Sequence, residues 1–379
     1  MQREFDLILQ GATGFTGQLA AAELAKQAPA DLRWAIAGRD ASKLKTLSEK
    51  WQVPFVVASG LDETAVDQLA SRTRVVISCA GPFARFGTPL VEACVKHQTH
   101  YADLTGELPW IHQLIQKHHK QSTADGTTLI PASGFDSVPT DLTVFHCVRH
   151  LQGEQPGDGE NSTHSTVDVG ALTGQYTLRG GFNGGTLASG LELYEKYPEV
   201  MQGFNWEVFE VPVLNRWAAP FLMAPVNEWV VRRSAALLDE AGVGYGKNFR
   251  YDEFMTAKTR GRAAMLARIL KLVQYLMSKS WGRETLRLFG PKPGKGPSKK
   301  SRERGFAKLH IIHSGNREVG KLSMTGDPSN LITTRCLVQV GLALAAGEAQ
   351  RGGVVTTAAA FGDTLISRLR LLGDQFVIK

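Results

Sequence analysis

Phe5-Asp6-Leu7-Ile8-Leu9-Gln10-Gly11-Ala12-Thr13-Gly14-Phe15-Thr16-Gly17, with an alanine-rich run to Gln27 and then Trp34-Ala35-Ile36-Ala37-Gly38-Arg39, is the stretch that decides the fold. The first apolar run predicts a buried strand, the glycines a sharp turn, Gln18 to Gln27 a helix, and the second apolar run another strand. Gly11 permits the tight turn, Gly14 lets an anion approach the backbone, and Gly17 lets the helix pack close to the sheet. The start of such a helix offers unpaired N–H groups and a partial positive charge to a phosphate. Thr13, Phe15 and Thr16 complete the loop, the threonines as added hydroxyl donors. The spacing is G-x-x-G-x-x-G rather than G-x-G-x-x-G, so the strand before and the helix after carry the inference of a dinucleotide-binding turn.

At the end of the second strand an NAD site usually places an acid to accept from the ribose 2′-hydroxyl. Here the chain has Gly38-Arg39, with Asp40 one residue beyond. A guanidinium, planar and permanently charged, suits a 2′-phosphate, and Lys43 lies one turn into the next helix. NADP is therefore expected over NAD.

Further strand and helix patterns alternate through residue 135. Arg74 to Pro82 reads as a buried strand stopping in the small-residue turn Cys79-Ala80-Gly81-Pro82. Ligands of open parallel sheets sit beyond the carboxyl ends of strands, so this turn is expected beside the ribose and nicotinamide. Cys79 reads as a small buried thiol, with no His near it in sequence. The next strand end, His100 to Glu107, places Tyr101 and Asp103 as candidates for proton transfer or substrate orientation, with Glu107 beside them. Capping and core packing are the alternative roles there. Thr127 to Ala132 is the following strand, and Ser137 with Pro139 suggests the N-cap and first turn of a helix through His150.

After the loop 153–163 the pattern changes. Residues 166–172 alternate at period two, and Gly180 to Thr186, with two glycine pairs, opens a helix to Tyr197. That turn suits a second anion site, a hinge or a plain loop. Phe306 to His313 and Glu318 to Thr325 form a hairpin, and helices follow at 331–347 and 363–372. The expected architecture is α/β: a Rossmann-type doubly wound parallel sheet over 1–145, a second α+β domain with an antiparallel or mixed sheet over 146–330, and C-terminal helices over 331–379 packing back on the first domain.

The net charge of +7 is unevenly placed. Residues 258–308 carry 15 Lys and Arg against two acids, and the rest of the chain is net acidic. Arg262 to Leu276 reads as an amphipathic basic helix, followed by Trp281 and a Gly/Pro/Lys tract at 290–300, which fits an anionic membrane surface; a core helix with a loose loop is the alternative. Nucleic acid is disfavoured, since no reader motif accompanies the charge. No apolar run is long enough to span a bilayer, the four scattered cysteines form no metal or redox pair, and no metal is expected. A cytoplasmic protein, peripheral on the inner face of a membrane, is the expected location.

With GATGFTG (11–17), AGR (37–39), ISCAGPFARFG (77–87), YADLTGE (101–107), GFDSVPTD (134–141), GGTLAS (184–189) and TTAAAFGDTLISRL (356–369) laid out, the sequence resembles the saccharopine dehydrogenase-like oxidoreductases, and within them the trans-acting enoyl reductases. The resemblance is close to full length. It implies an NADP-binding Rossmann domain with a second α/β domain, and lipid or membrane association of some members. The expected activity is NADPH-dependent reduction of an apolar, lipid-like substrate such as an enoyl thioester, in a chain that can form homo-oligomers. A saccharopine-type imine or amino-acid oxidoreductase, and a non-catalytic nucleotide-binding protein at a membrane, are the alternatives.

Overall fold

A computed structural model describes residues 3–153, 168–181, 183–197, 204–292 and 294–379. The first six strands are β1 (Phe5–Gln10), β2 (Trp34–Gly38), β3 (Phe55–Val57), β4 (Thr73–Ser78), β5 (His100–Asp103) and β6 (Thr128–Ile130), all parallel and ordered β6-β5-β4-β1-β2-β3. Successive side chains of a strand point to opposite faces, and this sheet is covered on both. Leu7, Leu9, Val75 and Ile77 join one core, while Ile8 and Val76 join another with Val66, Leu90 and Val91. A strand buried on both faces has to be apolar throughout, which is why Leu7-Ile8-Leu9 shows no alternation.

The second sheet is mixed. It contains β7 (Ala171–Arg179), β8 (Glu210–Val211), β9 (Arg216–Pro220), β10 (Arg250–Ala257), β11 (Phe306–His313) and β12 (Arg317–Thr325), with β7 and β10 parallel and the β11–β12 hairpin antiparallel. Its inner face, including Tyr176, Leu309, Ile311 and Leu322, shares one core with Leu142 and Phe145 of the helix Val138–Leu151 and with Leu7 and Ile77 of the first sheet. The two sheets are thus joined by apolar packing.

The end of the chain returns to both sheets. Helix Thr333–Ala345 lies on the first, where a methyl at Gly341 would stand 2.6 Å from Ile77 Cγ2, so only glycine permits the close approach. Gly353–Val354 (β13) extends that sheet beside β6, and Gln375–Ile378 (β14) extends the second beside β12.

Several expectations shift. The first helix begins at Phe15, three residues earlier than its sequence pattern, because Gly14 already takes the N-cap position. Ser137 precedes the helix Val138–Leu151 but makes no capping bond; its hydroxyl is buried without a partner. The alternating strand placed at 166–172 falls partly outside the described residues, and β7 instead runs from Ala171 to Arg179. The glycine- and proline-rich loop at 153–163 lies almost wholly outside them. β10 and the helix Ser280–Phe289 had no clear sequence signature.

Candidate functional site

The carboxyl ends of β1, β2, β4 and β5 are level. Gln10 pairs with Ala37 and Ser78, and Ser78 pairs with Asp103. Four loops therefore meet at one sheet edge, where an open parallel sheet binds its ligand.

The first loop has the geometry of an anion cradle. Gly11 is at φ +80°, and a Cβ there would stand 2.9 Å from Ala80 N. A Cβ on Gly17 would lie 2.0 Å from Gly11 O, which means that the helix Phe15–Gln27 is pressed against the turn that precedes it. No side chain caps that helix and its first turn holds no acid, so its N-terminal N–H groups face outward without competition. Thr13 lies next to Gly38, bringing the loop to the end of β2.

Arg39 follows there, exposed and with no ion pair or hydrogen bond among the described residues. Asp40 is committed elsewhere: it caps the helix Ala41–Trp51 through Lys43 N (3.1 Å), accepts from Ser42 Oγ (2.7 Å) and pairs with Lys43 Nζ at 3.0 Å. The Ser42 and Lys43 bonds hold its carboxyl well below the usual range. The acid that could have read a 2′-hydroxyl is thus turned into its own helix, and the free cation is Arg39. Lys43 is partly engaged, but an exposed pair of this kind contributes little and is readily exchanged for a phosphate.

At the third loop, Cys79 N donates to Gln10 O at 2.9 Å, and burial, with the Asp103 charge, pushes the thiol up to about 12. The thiolate needed for chemistry is therefore scarce near neutral pH. Glu107 supports the loop from below, its two carboxylate oxygens accepting from Phe83 N and Ala84 N, both at 2.8 Å. Phe83 in turn stacks on Trp110. Ala80, Gly81 and Pro82 are held in this way at the strand edge, and a Cβ on Gly81 would stand 3.4 Å from Ser189 Oγ of the helix Gly184–Lys196.

Tyr101 and Asp103 are brought together, but inside the protein. Tyr101 donates to Asp103 Oδ2 at 2.8 Å, Asp103 Oδ1 accepts from Thr105 N and Ala132 N, and neither residue has exposed surface. Burial raises the Asp103 carboxyl to about 7.

Two acids not singled out from the sequence stand nearby. Asp136, in the loop after β6, is half-buried and has no hydrogen-bond or ion-pair partner among the described residues; burial raises it to about 6. Its neighbour Phe135 packs edge-on against Tyr176 of the second sheet. Glu253 of β10, 2% exposed, accepts from Thr140 Oγ1 and Tyr251 OH at 2.7 Å and from Asn227, and burial raises it to about 7. The polar pair Asp136-Ser137, in the loop after β6, was the available signal for Asp136. Nothing in Tyr-Asp-Glu-Phe marks Glu253.

The second glycine turn behaves differently from the first. Asn183 caps the helix Gly184–Lys196 through Thr186 N and donates to Asn330 Oδ1, while Gly181 N donates to Asp327 Oδ2. Phe182 lies outside the described residues. The basic tract meets this turn and then the first loop: Gly184 N donates to Lys295 O, a methyl at Gly296 would stand 2.4 Å from the Phe15 ring, and the Arg302 guanidinium lies over the same ring at 5.3 Å.

Residues 7–130 match the model of the saccharopine dehydrogenase NADP binding domain. A Mycobacterium tuberculosis protein named as a candidate trans-acting enoyl reductase is 35% identical over 98% of this chain and 96% of its own. The trans-acting enoyl reductase of Mycobacterium ulcerans is 32% identical over 98% and 97%. Among solved structures, apo saccharopine dehydrogenase (L-Glu forming) from Saccharomyces cerevisiae shares the fold, with a TM-score of 0.58 at 11% identity over 98% of this chain and 99% of that one. The uncapped cradle at Gly11 to Gly17 and the guanidinium of Arg39, without a partner among the described residues, fit the dinucleotide that the matched domain binds, and the chain belongs to the saccharopine dehydrogenase family of NADP-binding oxidoreductases, alongside the mycobacterial trans-acting enoyl reductases.

Proposed function

We propose that the protein reduces the carbon–carbon double bond of an apolar, lipid-like enoyl substrate with NADPH. The observation that carries the NADPH part of the reading is Arg39, without a partner among the described residues, beside an uncapped helix and the small-residue turn at Cys79 to Pro82. The names of the mycobacterial relatives support the enoyl class. Bound NADPH supplies a hydride to the β-carbon. The chain's own residues hold the phosphates at Gly11 to Gly17, hold the 2′-phosphate at Arg39 and Lys43, and shape the nicotinamide end with Cys79 to Pro82.

The carbanion-like α-carbon then needs a proton. Tyr101 and Asp103, lacking surface, act here as positioning residues that tie β5 to Ala132 after β6. Asp136 is the proton donor in this reading: it lies in the loop after β6 without a partner among the described residues, and burial raises its carboxyl to about 6. A donor must be protonated, so kcat should fall as pH rises through about 6, and Asp136→Asn should lower kcat and remove that limb while leaving NADPH affinity alone. A variant with an unchanged profile would remove Asp136 from the mechanism. The reaction class is tested by NADPH oxidation across enoyl, keto and imine substrates. Turnover of the imine alone would favour the saccharopine-type alternative.

We propose further that the enzyme works at an anionic membrane surface. No helix among the described residues is long and apolar enough to cross a bilayer. Helices Arg260–Ser278 and Ser280–Phe289 nevertheless leave Met265, Ile269, Leu272, Tyr275, Trp281 and Leu288 at least 48% exposed, and Phe289 86%. Arg262 and Arg268 flank this surface and Lys279 lies over the Tyr275 ring. An apolar strip with cationic borders suits the headgroup region of anionic lipid. The opposite side of the first helix packs Met277 and Val273 on Leu191 and Tyr194 of the helix Gly184–Lys196, whose Ser189 lies against Gly81. Co-sedimentation with phosphatidylcholine vesicles containing phosphatidylglycerol should be lost on Leu272→Glu with Phe289→Glu; retained binding would sink the surface.

A further inference from the structure

The basic tract that follows Phe289, which the sequence groups with the preceding helix as one membrane-facing surface, has a position that gives it a different task from the apolar helices before it. Gly184 N donates to Lys295 O at 3.0 Å, and Lys295 N donates to Lys292 O, which sets the tract against the second glycine turn. Gly296 then rests on the Phe15 ring so closely that a methyl there would be 2.4 Å from Cε1 and Cζ. Arg302 returns over the same ring, one of its nitrogens donates to Pro297 O, and its Nε is buried without a partner. Phe15 is the first residue of the uncapped helix, one position after Gly14. A segment of the second domain is therefore seated beside the anion cradle of the first.

Its charge has no local answer. The ammonium groups of Lys292 and Lys295 are exposed and form no ion pair or hydrogen bond among the described residues, and the tract's one acid, Glu303, faces Lys299. Asp327, the nearest buried acid, is occupied by Gly181 N and Asn330. Unpaired cations beside a helix N-terminus raise the local potential for a doubly charged ligand.

We infer that Lys292 and Lys295, held by the Gly296 and Arg302 contacts with Phe15, form a second half of the pyrophosphate site, so that the dinucleotide is gripped by both domains. The inference rests on the cofactor reading above. It also separates two kinds of recognition: the tract addresses the pyrophosphate that NADPH and NADH share, whereas Arg39 addresses the 2′-phosphate that only NADPH carries.

The test is fluorescence titration of the full chain with NADPH and with NADH, at low and high salt, alongside thermal melting. Lys292→Glu with Lys295→Glu should weaken both cofactors by about tenfold, the scale of one charge-assisted hydrogen bond, with a shallower salt dependence and an unchanged melting temperature. Arg39→Ala should weaken NADPH alone. Arg302→Ala, which removes the clamp but neither lysine, should reproduce the loss for both cofactors in part. Unchanged affinities in the lysine variant, with Arg39→Ala still selective, would overturn the two-domain grip and leave the cofactor reading intact. Failure of the wild-type chain to bind either cofactor would instead overturn that reading and the grip with it.

Discussion

Two turns in this molecule pair a glycine-rich stretch with the start of a helix, Gly11 to Gly17 and Gly180 to Thr186, and their local sequences invite the same interpretation. They differ in what satisfies the helix N-terminus. The first has Gly14 at the N-cap and no side-chain bond; the second has Asn183, whose Oδ1 takes Thr186 N at 3.0 Å. The first is compressed against its own strand, with Gly17 over Gly11 O, whereas the second is fastened to a distant segment through Asp327 and Asn330. Glycine content therefore does not identify an anion site. What does is a helix start left unsatisfied by its own chain, because N–H groups already bonded have little left to offer a phosphate.

The largest effect should come from Gly17→Ala. The added methyl would meet backbone only, 2.0 Å from Gly11 O and 2.8 Å from Ala12 Cα, and no side chain can swing away to admit it. The helix must lift from the turn, at an overpacking cost of about 1–3 kcal/mol or more. NADPH binding should disappear and the melting temperature should drop. A variant that binds NADPH as the wild type does would mean that the first loop is not the tight cradle described.

Gly184→Ala should do less. Its methyl would stand 2.1 Å from Lys292 O, pushing the basic tract without touching the first loop. Both cofactors should bind several-fold more weakly, with most of the stability retained. Complete loss, matching Gly17→Ala, would make the second turn a primary phosphate site and erase the distinction.

The contrast also explains what was readable in advance. The first domain was legible because its signals are local: Leu7-Ile8-Leu9 has to be a doubly covered strand, and Gly11, Gly14 and Gly17 lie within one turn of each other. Arg39 could be singled out because the second strand ends in Gly38-Arg39, where an NAD site would carry an acid. Asp136 and Glu253 were not singled out, since their raised carboxyls arise from burial by residues far off in sequence: Phe135 against Tyr176, and Glu253 beneath Thr140. The basic segment showed its charge but not its division. Leu272 and Phe289 face outward, while Gly296, seven residues after Phe289, packs on Phe15, a neighbour 281 positions earlier in the chain. Periodicity reports which face of a helix is apolar and says nothing of which remote loop a tract will meet.

The smallest effect is the most discriminating. Asn183→Ala removes a side-chain cap and one bond to Asn330, for a loss of about 1–2 kcal/mol. In urea the midpoint should fall with an unchanged slope, since the folded surface stays the same. Removing the cap also frees N–H groups at the start of the helix Gly184–Lys196. If that turn were an anion site held in reserve, the variant would bind NADPH as tightly as before or more so, with a steeper salt dependence. If the turn is a fastening for the tract above Phe15, affinity should hold steady or slip slightly as Gly184 loosens, and the salt dependence should not steepen. The salt dependence thus separates the two readings, and the bonds from Asn183 to Asn330 and from Gly181 to Asp327 favour the fastening.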